Sequence, residues 1–344
     1  MATSTKSVAT PELMNAIRNE ASEAYKAAVP VATLANLQDV ANPILNYAVM
    51  SNEFLNILIN KIVATIVRRK MWENPLALLR KEGMPLGIDI EEIHTNPAVA
   101  KDYDGSETGM AELLKMNKPD VAVAFHRMNR QDKYTVTINN RQLTNAFTSW
   151  TNLDDFIGQI TDSLYNGNTI DEFNYTKALV SSAVAAGKIG TVTVPNPVDE
   201  SSGKQFQKAL RNLSMQFTFP SINYNPYRLM GGLTDRTTWS KIENQIIIIR
   251  ADVAAAIGVE VLSAAFNISY ADYLAKQVIV DGFAGAENTL AVLADKDAFE
   301  IREKLRQFAS FFNPSALNWQ YYYHAWDTFS MSPFHNCMAL VSAP

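Results

Sequence analysis

Apolar positions along the chain switch repeatedly between a period of about 3.6 residues and a period of 2, which predicts a mixture of helices and strands. After Ser51, a residue suited to a helix N-cap, Phe54, Leu55, Leu58, Ile59, Ile62 and Ile66 recur at helical spacing, and Arg68, Arg69 and Lys70 close the segment. That basic triplet reads as a complement to the helix C-terminal dipole rather than as a DNA contact. Upstream, residues 1–50 are rich in Ala, Ser, Thr and Asn and are interrupted by Pro11, Pro30 and Pro43, the pattern of an extended arm carrying short helical pieces. Leu86, Ile88 and Ile90 then alternate with Gly87, Asp89 and Glu91 as in a half-buried strand. Val121, Val123 and Phe125 repeat the alternation, 127–132 supplies a polar tip, and Tyr134, Val136 and Ile138 alternate again, so this stretch reads as a long hairpin. Residues 94–120 are polar and punctuated by Gly and Pro, and predict a loop with a short helix at 110–116.

The clearest helix signals follow. Asn152 stands as a cap before Leu153, Phe156, Ile157, Ile160 and Leu164, and Thr169 with Glu172 has the spacing of a capping box before Phe173, Val180 and Val184. With Gly187 placed as a C-terminal cap, the expectation is one long helical region from about 151 to 186, broken or kinked near Gly167. Beyond it, Val192 and Val194 predict a strand, 201–203 reads as a linker, an amphipathic piece runs to Met215, and the stretch to Gly232 reads as loop. Ile246 to Ile249 fits a buried strand, Val253 to Phe266 a helix, and Val278 to Val280 and Leu290 to Leu293 further strands. The aromatic segments Trp319 to Met331 and Phe334 to Val341 are strand-prone, with a turn at Ser332 and Pro333. The arrangement is α+β.

Length changes this picture only by allowing about two domains for 344 residues. Charge changes it more: charged residues make up 19% against 47% hydrophobic, below the ~25% charge of an average soluble domain. Part of the surface is therefore expected to face something other than water. The net charge of −5 provides no global basic field for nucleic acid. The polar N-terminus lacks the apolar core of a secretory signal, which makes the cytoplasm the expected site of synthesis, and the greasy stretch from Phe54 to Val67 is interrupted by Asn56, Asn60 and Lys61, so no membrane span is expected.

Candidate chemistry is sparse. A single cysteine, Cys337, excludes an internal disulfide and a multi-thiolate zinc site. Nucleotide-binding glycine loops, a Gly-x-Ser-x-Gly elbow and a His-Glu-x-x-His pair are all missing. His335 and Cys337 would share a strand face but lack further ligands, and His94, His126 and His324 read as ordinary packing. Of the carboxylate pairs at 91–92, 154–155, 171–172 and 199–200, two lie in the first turns of predicted helices, where capping explains them without catalysis. The aromatic run from Trp319 to Trp326 is open to two readings, a stacking platform or a packed sheet face. No catalytic, cofactor-binding or metal-binding residue is assigned.

Several blocks together carry a resemblance. They are Asn74-Pro-Leu76 followed by Met84-Pro-Leu-Gly-Ile-Asp-Ile-Glu-Glu-Ile93; Phe125-His-Arg-Met-Asn-Arg130 with Tyr134; and Phe147-Thr-Ser-Trp150 leading into Phe156. Val280-Asp-Gly-Phe-Ala284, Asp295-Lys-Asp297, Asn313-Pro314 and Trp319-Gln-Tyr-Tyr-Tyr-His-Ala-Trp326 complete the set. In this order, from about residue 10 to 342, they resemble the major capsid protein of Picovirinae-type short-tailed bacteriophages; the Tyr-Tyr-Tyr-His-x-Trp block is the most specific of them.

The resemblance implies the fold shared by tailed-phage shells, encapsulins and the herpesvirus capsid floor. In that frame 1–74 is the N-terminal arm and helix, 75–148 the extended two-stranded loop, 149–187 the spine helix of the peripheral domain, 188–310 the axial domain and 311–344 the return strands. Some relatives continue into an immunoglobulin-like domain, which is not expected of a chain ending at Pro344. The implied function is self-assembly as pentamers and hexamers into an icosahedral head around double-stranded DNA, built in the bacterial host cytoplasm with portal and scaffolding proteins as partners. DNA contact is expected to be weak and non-specific, and no membrane is involved. Leu86, Ile88, Ile90, Phe125 and Tyr134 are the expected inter-subunit contacts, with Arg127 and Arg130 available for ion pairs between subunits. An encapsulin-like compartment is the alternative within the same fold, and a hydrolase using His335 or the carboxylate pairs is the alternative outside it.

Overall fold

The computed structural model describes residues 10–64, 72–102, 116–257 and 277–342. Arg68 to Lys70, nearly all of the short helix expected at 110–116, and the latter part of the helix expected to reach Phe266 lie outside the described residues.

The N-terminal stretch is helical: α1 (Thr10–Glu20), α2 (Glu23–Ala28), α3 (Leu37–Asn46) and α4 (Ala48–Ala64). Pro11 sits in the first turn of α1, where its missing N–H is not needed. Ser22 caps α2 by accepting the Tyr25 N–H. Pro43 lies inside α3 at the loss of one backbone hydrogen bond. Ser51, expected to be an N-cap, lies within α4 and instead donates its hydroxyl to the Ile44 carbonyl. These pieces do not trail outward, because Ile17, Tyr25, Val40, Ile44, Phe54, Leu55 and Leu58 are all buried in one apolar cluster.

After β1 (Arg80–Lys81) the chain enters β2 (Ile90–Thr95), β3 (Val121–His126) and β4 (Arg130–Asn139). Two expectations are corrected here. The strand begins at Ile90, since Gly87 at φ +87 turns the chain beside Leu86 and Ile88. The hairpin is β2 with β3, paired antiparallel from Ile90↔His126 to Thr95↔Val121, while β4 belongs to a different sheet.

Helix α5 (Asn140–Ala146) starts on a capping box of Asn139 and Gln142. Helix α6 (Trp150–Thr161) starts one turn before the expected cap: the Ser149 hydroxyl, not Asn152, accepts an end N–H, that of Asn152 itself. The expected break near Gly167 is a π segment, Asp162–Asn166, that passes into α7 (Gly167–Ala185). Thr169 and Glu172 therefore lie inside continuous helix and form no capping box. Gly187, at φ +65, ends α7 with Lys188 N–H bonded to the Ala183 carbonyl and its own N–H to that of Val184. β5 (Gly190–Val194) follows, then α8 (Glu200–Phe217), whose first turn takes in the expected linker because Asp199 and Ser202 cap each other.

The rest is β6 (Gln245–Arg250), α9 (Ala251–Ile257), β7 (Gln277–Val280), β8 (Thr289–Asp295), β9 (Phe299–Asn313), β10 (Asn318–Met331) and β11 (Cys337–Ser342). β5, β11, β8, β6 and β7 form a five-stranded sheet in that order, and β1, β9, β10 and β4 a four-stranded one. β9 was not anticipated. Charged side chains interrupt its alternation, and Glu300 is buried there because Lys81 and Arg302 bind it.

The chain folds into two compact units, each built from separated segments. One holds 1–74, 131–172 and 305–326, and its core joins the N-terminal helices to Leu143, Phe147, Leu153, Ile157, Tyr321 and Tyr323. The aromatic run of β10 is thus a packed sheet face: Trp319, Tyr321 and Tyr323 point inward, and Tyr323 stacks on Phe308 with ring centroids 4.6 Å apart. The other unit holds 75–130, 173–304 and 327–344, with apolar clusters on both faces of the five-stranded sheet. The fully buried strands β6 and β8 read as continuous apolar runs for that reason. Among the described residues, no helix is long and apolar enough to cross a membrane.

Candidate interaction surface

Among the described residues the β2–β3 ribbon has no third strand, so its placement depends on its two faces. Alternation puts Ile90, Glu92 and His94 opposite His126, Ala124 and Ala122 on one face, and Glu91, Ile93 and Thr95 opposite Phe125, Val123 and Val121 on the other. The first face is turned inward: Ile90, Ala122 and His126 are buried. The second is open, with Phe125 60%, Ile93 62%, Val121 45% and Val123 43% exposed. Four large apolar side chains thus stand exposed on one strip of sheet, with Leu86 and Ile88 also exposed just before it.

Three fastenings hold the inward face. At the far end the Asn96 amide bonds Asp120 at 2.7 Å and the Asp235 carbonyl at 2.8 Å, and Arg236 reaches Asp120 at 2.9 Å. In the middle, Glu92 meets His126 Nε2 at 3.0 Å, the Ser332 hydroxyl at 2.8 Å and His335 Nε2 at 3.3 Å. Burial would raise the Glu92 carboxyl, but hydrogen bonds from His126, His335 and Ser332 outweigh it and hold it at about 2. At the base, the Asn129 side chain donates to the Phe329 carbonyl and accepts the Phe329 N–H, both at 2.8 Å.

The residues expected to contact a neighbour separate into two groups. Leu86, Ile88 and Phe125 are exposed, and Arg127 makes an exposed pair with Asp89 at 3.1 Å. Ile90 is buried under the ribbon, Arg130 pairs with Asp327 at 2.8 Å in the interior, and the Tyr134 hydroxyl donates to Asp171 at 2.6 Å in the other unit. Val121, Val123 and Ile93 were missed as surface candidates, although 121 and 123 share the parity of Phe125 and could have been found from it. The grouping of Glu92, His126 and His335 had no local signal, because it joins positions far apart in the chain.

Several of the other candidate groups have structural settings. Cys337 is wholly buried and its thiol is pushed up by burial. Glu91 and Glu92 point to opposite faces, and Asp199 serves as a cap. The described residues contain no cluster of three or more His, Cys, Asp or Glu side chains arranged to hold a metal ion.

A family model described as Phi29-like phage major capsid protein matches residues 14–341. The chain is 35% identical over 332 residues to the major capsid protein of Bacillus phage PZA, covering 96% of this chain and 72% of that one. It is 28% identical over 352 residues to the major capsid protein of Streptococcus phage Cp-1, covering 96% and 94%. Among solved structures it is similar to the capsid of Staphylococcus phage Andhra, with a TM-score of 0.67 at 16% identity over 81% of this chain and 87% of that one. At that identity the likeness speaks to the fold alone, and the fold is that of tailed-phage capsid proteins.

Proposed function

The chain belongs to the Phi29-like phage major capsid protein family, and from that premise we propose that the outward face of the β2–β3 ribbon is a surface through which copies of this chain join one another in the shell. As a phage major capsid protein it is a structural component of the virion that self-assembles. The observation that carries the surface is the exposed strip of Phe125, Val123, Ile93 and Val121 on a ribbon whose other face is fastened down. An apolar strip at the centre and a rim charge such as Arg127 have the composition of an interface between like subunits. Leu86 and Ile88 extend the strip, while Ile90 is buried on the ribbon's inner face and Arg130 pairs with Asp327 within the same unit.

The finer assignment is pentamers and hexamers closing into an icosahedral head around double-stranded DNA, in the host cytoplasm, with portal and scaffolding proteins as assembly partners. Closed symmetry lets one set of surfaces serve every contact, which suits a shell built from many copies of a single chain. A net charge of −5 supports only weak, non-specific contact with the packaged DNA. A compartment built around a cargo enzyme has no observation in its favour, since the matched relatives are phage capsid proteins.

Electron microscopy of the full chain tests the surface. Wild-type protein is expected to give closed shells, and Phe125→Asp combined with Val123→Asp to give dispersed subunits that remain folded. Shells from the double variant in wild-type yield would overturn the assignment.

A further inference from the structure

Among the described residues the ribbon is a two-stranded sheet seated largely by side chains, and the fastening at its middle brings a carboxylate together with two histidines. The far end is held by Asn96, Asp120 and Arg236 and the base by the Asn129 amide. The middle joins Glu92 of β2, His126 of β3, and Ser332 and His335 of the segment between β10 and β11. We propose that Glu92, His126 and His335 form a proton-operated latch, which keeps the ribbon seated while His335 is protonated and slackens when it is not.

The geometry gives each group a distinct part. His126 lies between Glu92 at Nε2, 3.0 Å away, and the Ser330 hydroxyl at Nδ1, 2.6 Å away, so both of its ring nitrogens are engaged. His335 faces the other oxygen of Glu92, and its bond there gains a full charge only when the ring carries its second proton.

Every neighbouring charge bears on that proton. Asp295 and Asp297 face His335 and, with Glu92, favour the cation. Asp295 is itself bound by the Ser240 hydroxyl, and Asp297 by Lys81, which also pairs with Glu300. From the opposite side come Arg236, committed to Asp120, and His94, stacked on Phe334 with ring centroids 5.2 Å apart. Burial and Arg236 both disfavour a charge on His94, so it adds little repulsion. Burial would lower His335, but the Glu92 hydrogen bond and the surrounding carboxylates raise it above its ordinary 6.5.

The sign follows. A raised histidine contributes its full stability below 6.5 and loses it as pH climbs through the raised value. Glu92, held at about 2, remains ionised throughout, so the latch opens on the alkaline side. The link to shell formation rests on reading the ribbon as the contact surface; the seating itself does not.

Hydrogen exchange on unassembled full-length subunits tests it, read at the amides of β2 and β3 after correction for intrinsic exchange. Between pH 6 and pH 9, ribbon protection is expected to fall by about tenfold for each unit by which His335 titrates above free imidazole, while β8 stays unchanged. His335→Gln should show the fast exchange at both pH values. An NMR titration of the His335 ring provides the second measurement: a midpoint above that of free imidazole, brought down by Glu92→Gln. Ribbon protection that does not change with pH, a pH response that survives His335→Gln, or a His335 midpoint at or below that of free imidazole each overturns the latch. None of these results depends on whether shells form, so they remain separate from the fate of the assembly surface.

Discussion

Arg130 and Asp327 meet at 2.8 Å with each side chain only 2% exposed, and the guanidinium lies 5.0 Å from the Tyr175 ring and 5.9 Å from that of Phe329. A charge pair this deep costs a great deal to desolvate and repays it only while both partners are present. Asp327→Ala should therefore destabilise the chain by about 3–5 kcal/mol, because it takes a carboxylate partner from a buried cation. Replacing both residues with apolar ones of similar volume should recover most of that loss. Urea unfolding of the two variants checks the difference.

The Glu92 carboxyl is held at about 2 against an ordinary 4.5. A depressed carboxylate contributes its stability above 4.5 and loses it as pH falls toward 2. Wild-type unfolding midpoints should drop more steeply over that interval than those of Glu92→Gln, with the wild type the more stable at neutrality. Equal acid slopes would show that the carboxylate is not held as described.

Gly187 occupies φ +65 with open space where a side chain would sit. Gly187→Ala meets no clash, so its whole effect is the left-handed backbone, about 1 kcal/mol. Thermal unfolding should register a small drop of that size, and Gly187→Asn, which tolerates this region better, a smaller one.

Cys337 is wholly buried, and burial suppresses its thiolate. The native chain should react with a thiol reagent only at the rate of its opening, and stoichiometrically once denatured. Rapid labelling of folded protein would place the thiol nearer the surface than the fold does.

Elements whose own residues decide their structure were legible in advance. The stripe from Leu153 to Leu164, the Gly187 cap and the apolar run of β6 are local statements, and each stands where its pattern put it. Pairing was not legible. Alternation in 121–126 reveals two faces but not a partner, and the short 127–132 connection argued for β4, whereas the long stretch from 96 to 120 returns the chain to β2. β9 was hidden because Glu300 is polar in sequence and buried in space, its charge met by Lys81 some 219 residues away. The candidate surface divided along the same line. Phe125 was proposed from the resemblance and lies exposed, whereas the Glu92, His126 and His335 grouping exists only after folding.

The reciprocal bond between Asn129 and Phe329 has a consequence for chemical ageing. Its side-chain amide imitates a peptide unit, donating and accepting in the plane of a strand. Hydrolysis of that amide to a carboxylate would exchange the donor for a second acceptor and set an anion against the Phe329 carbonyl. That change would remove the bond to the Phe329 carbonyl while leaving the Phe329 N–H and the Asn129 N–H still bonded, so the ribbon's root would be loosened from one side only.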